Sequence, residues 1–421
     1  MRSAATLLAG LVIASGPVSA ADKPHIPPPF IEEDVALIED SARQIHDAVI
    51  TIDTHVDIPP NYATSEADPG LRGPMQVDLP KMREGGLDAA FFIVFVPQGD
   101  LTPEGYAEAY EAAIAKFDAI DRLVTQNPGE VELALTPDAA IGIAQAGKRV
   151  AMIGVENGFA IGEDLKNIEV FYQRGARYMS LTHGGHNQLA DSSTPRGQLG
   201  EEAAEVAHAG LSDLGGAAVA EMNRLGIMID VSHASNEAAV EAAHLSRAPV
   251  IASHSAVQGV LDVPRNLNDD ALKAIAAGGG VAQIVAFDTY LKAPDPERLA
   301  AVRQIAVDMG LTSRDAFRAA SQETIGQFRN RARALDAQWP RANVADLVDH
   351  IDYAVDLIGI DHVGISSDFG GGGGIIGWDD ASETLNVTRE LVRRGYTFNE
   401  IEKLWGGNFL RVWRAVEAAA D

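Results

Sequence analysis

The chain has 421 residues and a formal net charge of -27, with 46% hydrophobic and 22% charged residues, the composition of a globular enzyme built as one large barrel or about two or three average domains. So acidic a surface repels phosphate backbones and anionic lipid, which excludes nucleic-acid binding and a membrane-surface role. There is no cysteine, so disulfides, thiolate metal ligands and lipid attachment to a cysteine are excluded, and any metal must sit on histidines and carboxylates.

Residues 1 to 20 read as a secretory signal peptide. Arg2 supplies the positive end, Ala4 to Ala14 is an apolar run too short to span a bilayer, and Val18-Ser19-Ala20 offers the small residues of a cleavage site. The expectation is an exported, periplasmic or secreted protein with no stable membrane insertion after cleavage, residues 21–421 forming a single barrel domain. Lys23 to Pro29 is Pro-rich and reads as an extended arm. Glu32 to Val49 has helical spacing.

Eight short apolar, β-branched-rich runs follow: Ala48–Ile52, Ala89–Val96, Val150–Val155, Tyr178–Leu181, Ile227–Val231, Val250–Ala252, Val281–Ala286 and Val363–Ser366. Continuous apolar runs alternating with helices predict a buried parallel sheet. Thr102-Pro103 opens a helix to about Thr125, Ser212 and Ser235 are N-caps, and Asp269 to Ala277 stops at Gly278-Gly279-Gly280. The expected fold is α/β, a (β/α)8 TIM-type barrel with a helical insertion, Lys292 to about Ala342, between strands seven and eight. A doubly wound open sheet is the rival, weakened because no Gly-x-Gly-x-x-Gly follows the first strand. The five glycines Gly370 to Gly374 read as a mobile loop.

In such a barrel, ligands and catalytic groups sit where strands end. Those ends carry His55 and Asp57, two apart and so on one face of a strand, then Glu156, His183, His233, His254 and Asp368. Four of the 11 histidines follow closely on apolar strands, and chance placement would rarely select the same end each time. Three histidines and two carboxylates without sulfur suit zinc, with manganese, cobalt or iron as alternatives. Five ligands exceed one tetrahedral zinc, so two Zn2+ sharing Glu156 fit better, His55 and Asp57 completing one ion and His233 and His254 the other. Water held between two such ions becomes hydroxide near neutral pH, which makes hydrolysis the expected reaction. His183 reads as a third ligand, an oxyanion donor or a packed core histidine. Arg265, beyond strand six, reads as a carboxylate clamp or a surface ion pair. Asp230 and Asp361 read as supporting or capping groups. His25, His46, His186, His208, His244, His350 and His362 read as structural.

The ordered set Ile52-Asp53-Thr54-His55-Val56-Asp57, Gly154-Val155-Glu156-Asn157-Gly158, Leu181-Thr182-His183, Asp230-Val231-Ser232-His233, Ser253-His254-Ser255, Pro264-Arg265-Asn266, Gly364-Ile365-Ser366-Ser367-Asp368-Phe369 and Gly406-Gly407-Asn408-Phe409-Leu410-Arg411-Val412 resembles the membrane dipeptidase family, the renal dipeptidase-like metallopeptidases among the amidohydrolase-type barrels. The resemblance spans nearly all of the chain after the signal. It implies zinc on His55 and Asp57, zinc on His233 and His254, and Glu156 bridging. It implies substrate contact for His183 near the scissile carbonyl, for Arg265 at the C-terminal carboxylate of a dipeptide, and for Asp368 on the amine side, where it protonates the leaving nitrogen. An aromatic contact after strand seven falls to Phe287 or Tyr290. Mammalian members are lipid-anchored and disulfide-bonded; this chain has no cysteine and ends in a charged helix at Asp421, so a soluble exported form is expected. The implied activity is a dipeptidase acting on L,L and also L,D dipeptides; the motifs do not define its side-chain preference. Rivals are another metal-dependent amidohydrolase, such as a lactonase or cyclic amidase, and a non-catalytic periplasmic binding protein. Whether the chain forms a homodimer is left open.

Overall fold

The computed structural model describes residues 32–195 and 207–421. The expected signal peptide and Pro-rich arm, with His25, lie outside the described residues. Among the described residues, nine strands form one sheet: β1 (Ile52–Asp57), β2 (Ala89–Phe95), β3 (Val131–Leu133), β4 (Arg149–Glu156), β5 (Ala176–Ser180), β6 (Met228–Asp230), β7 (Ile251–Ser255), β8 (Val281–Val285) and β9 (Val363–Ser366). The order is β1-β2-β4-β5-β6-β7-β8-β9, every pairing is parallel, and the short β3 pairs with the start of β4. A parallel bridge from Val56 to Phe369 brings the end of the last strand back to the first, with the Asp57 N–H donating to the Phe369 carbonyl at 2.7 Å. The sheet is therefore an eight-stranded α/β barrel of the TIM type, as the strand count predicts.

The strands are buried almost throughout, which is why they read as unbroken apolar runs. The floor of the barrel is packed by Phe91, Met152, Tyr178, Phe409 and Trp413, all fully or nearly fully buried. Truncating such an aromatic to alanine costs about 3–5 kcal/mol. A larger apolar layer lies between the strands and the surrounding helices. Those helices begin where the sequence places caps: Thr102 accepts from the Gly105 N–H, Ser212 from Gly215 and Ser235 from Ala238.

Two departures from the sequence reading bear on the site. The first strand was expected at Ala48–Ile52, with His55 and Asp57 beyond its end; β1 instead starts at Ile52 and contains both. Residues 47–49 form a turn after the helix Glu32–His46. The pentaglycine, expected as a mobile loop, is tied down. Gly371 and Gly373 donate to the Asp368 carbonyl at 3.2 and 2.9 Å, and Gly374 donates to Ala286 at 2.9 Å. Gln76 clamps it further, accepting from Gly370 at 3.0 Å and donating to the Gly373 carbonyl at 2.9 Å.

The insertion between β8 and β9 is helical as expected: Pro296–Asp308, Arg314–Ala319 and Gln322–Arg333, the last with no buried residue. Arg341 pins its base by donating to Asp336 at 2.9 Å and Asp379 at 3.0 Å.

Candidate metal centre

Backbone irregularities aim the side chains of the site. In β1, Asp53 pairs with Ala90 and Val56 with Phe92, so Thr54 and His55 both face the single residue Phe91. In β7, Ala252 pairs with Ala282 and Ser255 with Ile284, so Ser253 and His254 both face Gln283. Each is a β-bulge, the device that re-aims a side chain at a barrel rim. His233 (φ 67°) and Asp368 (φ 57°) lie just beyond their strands in the left-handed region, a strained conformation for residues with a Cβ and one that clusters at functional sites.

The structure gathers all the candidate ligands into one buried cluster. The two oxygens of Glu156 face different groups. Oε2 lies 3.4 Å from His55 Nε2, whereas Oε1 lies 3.1 Å from His233 Nε2 and 3.3 Å from His254 Nε2. Asp57 Oδ2 is 3.5 Å from His55 Nε2, and Asp368 falls within the same group as His55 and Asp57. His55, Glu156 and His254 are almost wholly buried, and His233 and Asp368 nearly so.

His183 stands at the edge. Its Nε2 is 4.0 Å from Glu156 Oε1, and its side chain is 31% exposed, unlike the other three imidazoles. Its ring packs between His233 and Phe95, with centroids 4.3 and 4.7 Å away. Arg265 is buried beside the cluster. It donates to Ser255 Oγ at 2.7 Å and to the His254 carbonyl at 2.6 Å, while its Nε has no partner. The Arg265 guanidinium lies 5.5 Å from the Tyr290 ring centroid, and Tyr290 stacks on Phe287 at 4.1 Å. Both candidate aromatics thus sit at the mouth, Tyr290 against the arginine.

Charge and burial oppose each other throughout. Burial resists protonation of His55, yet the carboxylates of Glu156 and Asp57 outweigh it and hold its pKa well above the ordinary imidazole value. Burial would raise Glu156, but His55, His183 and the bonds to His233 and His254 hold it well below the usual carboxylate range. Burial pushes His233 and His254 well down. Asp368 is pushed well up by burial and by the charges of Asp57 and Glu156.

The donor set fits divalent cations. His55 Nε2 is buried without a hydrogen-bond partner. Two ligands each roughly 2.0–2.1 Å from a tetrahedral zinc lie about 3.3 Å apart, and the separations of 3.1, 3.3, 3.4 and 3.5 Å bracket that span. The ligands are nitrogen and oxygen only, which suits zinc and its neighbours.

Several supporting residues escape a local reading of sequence. Tyr178 receives His55 Nδ1 at 3.0 Å and donates to the Thr54 carbonyl at 2.9 Å. Asp53 accepts from the backbone N–H of His55 at 3.2 Å and of Ser367 at 3.0 Å, and from Ser367 Oγ, tying β1 to β9. The motif Ile52-Asp53-Thr54-His55 signals a carboxylate there but not its partner. Asp230 proves to be a supporting group, accepting from Ser253 Oγ at 2.6 Å. Asp361 is far from this role and pairs with Lys403 at the surface.

A parallel barrel with imidazoles and carboxylates converging at the C-terminal ends of its strands defines a metal-dependent hydrolase. The chain belongs to the membrane dipeptidase family of metallopeptidases: residues 39–421 match the family described as "Membrane dipeptidase (Peptidase family M19)". Among solved structures it is similar to the probable dipeptidase PvdM from Pseudomonas aeruginosa, 33% identical with a TM-score of 0.79 over 91% of this chain and 100% of that one. It is also 29% identical over 354 residues to the dipeptidase aclJ of Aspergillus oryzae, covering 82% of this chain and 71% of that protein. A metallo peptidase from Rhodobacter sphaeroides, liganded with a phosphinate mimic of the dipeptide L-Ala-D-Ala, shares the fold at 22% identity and a TM-score of 0.67, over 87% and 99% of the two chains.

Proposed function

We propose that this protein is a binuclear zinc dipeptidase that hydrolyses L,L and L,D dipeptides outside the cytoplasm. One observation carries the binuclear reading: Glu156 turns Oε2 toward His55 and Oε1 toward His233 and His254, two adjoining sets of donors on one carboxylate. His55, Asp57 and Glu156 Oε2 would hold one ion; His233, His254 and Glu156 Oε1 the other. Two zinc ions bound there would supply an acidified water as nucleophile and Lewis-acid polarisation of the scissile carbonyl.

The chain's own residues do the rest. Arg265 has an unpartnered Nε–H and a second N–H on each terminal nitrogen, enough to grip the C-terminal carboxylate of a dipeptide. His183, exposed beside the cluster, donates to the carbonyl oxygen as it gains negative charge. Asp368 lies with His55 and Asp57, where its carboxyl passes a proton to the departing amine nitrogen. Tyr290 and Phe287 wall the carboxylate end. No helix among the described residues is long and apolar enough to cross a membrane. A barrel domain over residues 21–421, released by cleavage of residues 1–20, is part of this proposal and rests on the sequence alone.

Elemental analysis of purified protein, run beside a panel of L,L and L,D dipeptides, tests this. Two zinc ions per chain and turnover of both series are expected. A zinc-replete protein that turns over neither series ends the proposal.

A further inference from the structure

Each half of the donor cluster has its own device for fixing which ring nitrogen faces inward. A hydroxyl has one proton to give. Tyr178 gives its proton to the Thr54 carbonyl at 2.9 Å, so its 3.0 Å bond with His55 must run from Nδ1–H to the phenol oxygen. With its proton fixed on Nδ1, His55 can turn its Nε2 lone pair to a cation held beside Asp57 and Glu156 once that cation displaces the Nε2 proton. Ser253 gives its proton to Asp230 Oδ2 at 2.6 Å, so its 2.8 Å bond with His254 must run from Nδ1–H to the serine oxygen. His254 presents a bare Nε2. His233 has no such device, since its Nδ1 is buried without a partner.

The fold accommodates both devices. Tyr178 is fully buried and crosses the barrel over Gly154, where any Cβ would come within 2.2 Å of its Cζ. Its hydroxyl reaches the bulge of β1, and Ser253 occupies the bulge of β7. The two devices use different acceptors, but they adjoin: the Ser253 side chain also interacts with the Tyr178 hydroxyl, and the His55 and His254 rings lie 3.7 Å apart.

We propose that Tyr178 and Ser253 are positioning residues that lock the tautomers of His55 and His254, each acting mainly on the affinity of its own half of the site for a cation. This rests on the binuclear reading above. Groups that orient a ligating histidine in this way typically govern 10–100-fold in metal affinity.

The test uses the full chain loaded with zinc and challenged with graded chelator, reading bound zinc per chain. Tyr178→Phe keeps the ring that packs 5.0 Å from Phe91, and Ser253→Ala is a small change; melting of both metal-free variants reports whether they fold. Each single variant should release one ion at about 10–100-fold higher free zinc than wild type while loosening the second clearly less. The double variant should loosen both. Two tight ions in either folded single variant, equal loosening of both ions by one variant, or one tight ion left in the double variant would overturn the proposal with the binuclear reading intact. If Tyr178→Phe does not fold, Ser253→Ala decides alone. Wild type holding fewer than two ions removes the binuclear reading, and this proposal with it.

Discussion

His233 and His254 turn their Nε2 atoms toward each other at 3.0 Å. His254 spends its Nδ1 on Ser253, so its Nε2 is a lone pair. Without a cation, relief comes only if His233 donates from Nε2, which leaves its own buried Nδ1 bare. A cation between the two rings satisfies both nitrogens at once. Zinc should therefore stabilise the fold by about 4 kcal/mol per site at free zinc 1,000-fold above Kd. Thermal melting across a zinc titration checks this: Tm should climb with zinc and fall on chelation, and a flat response would count against cation binding here. Glu156→Gln should flatten most of that response, because both halves lose a charged oxygen.

Arg265 is 3% exposed and lies next to the cluster rather than on an outer surface. Truncating one partner of a buried, hydrogen-bonded charge pair costs about 2–5 kcal/mol. Arg265→Ala should therefore lower kcat/KM on free dipeptides at least about 30-fold, mostly through KM. The same substrates capped as C-terminal amides should be nearly indifferent to the substitution. Equal losses on both series would mean that the arginine does not read the carboxylate. Lysine should rescue poorly, since it lacks the planar fork.

Gly371 is exposed, yet a Cβ there would lie 2.3 Å from Asp368 Oδ1 and 2.4 Å from Asp57 Oδ2. Gly371→Ala should displace both carboxylates while leaving the barrel floor untouched. We expect a loss of about tenfold or more in kcat/KM, given that misplacement of reacting groups by 1 Å can cost about 100-fold. Melting of the metal-free protein should move little. Wild-type kinetics in the alanine variant would show that the carboxylates have room to spare.

Much of this was legible in the sequence because buried parallel strands are apolar on both faces. Ala89–Val96, Val281–Ala286 and Val363–Ser366 match β2, β8 and β9 to within a residue. The reading stumbled where the site itself enters a strand. Thr54-His55 and Ser253-His254 are polar pairs on bulges, so the apolar pattern stops before the strand does. The three-residue β3 is too short to show a period. Histidines at strand ends stood out against their apolar surroundings, but Tyr178 did not. Its partner lies 123 residues away in the chain, and only the closed barrel brings the two together.

Stability should also depend on pH through two histidines outside the site. His46 is held by Thr388 at 2.7 Å and the Gly85 carbonyl at 2.8 Å. His350 accepts from the Val257 N–H at 3.2 Å and bonds the Leu291 carbonyl at 3.0 Å. Burial lowers the pKa of both. The unfolded chain then takes up protons first as pH falls, from about 6.5 downward, so stability is full above that pH and is lost below it. The slope approaches about 1.4 kcal/mol per pH unit for each histidine. Denaturant unfolding of wild type and His350→Gln between pH 7.5 and pH 5 should show a shallower dependence in the variant. Parallel curves would assign the acid sensitivity elsewhere.

The bridge from Val56 to Phe369, with Asp53 reaching Ser367 beside it, joins the first strand to the last. His55 and Asp57 arrive early in synthesis, and Asp368 arrives near its end. A ribosome-bound fragment lacking the final strand therefore holds loose ligands but no finished pocket. For the cation site proposed above, tight capture is expected only after the last strand has emerged and the ring has shut, which ties maturation of the centre to the C-terminal part of the chain.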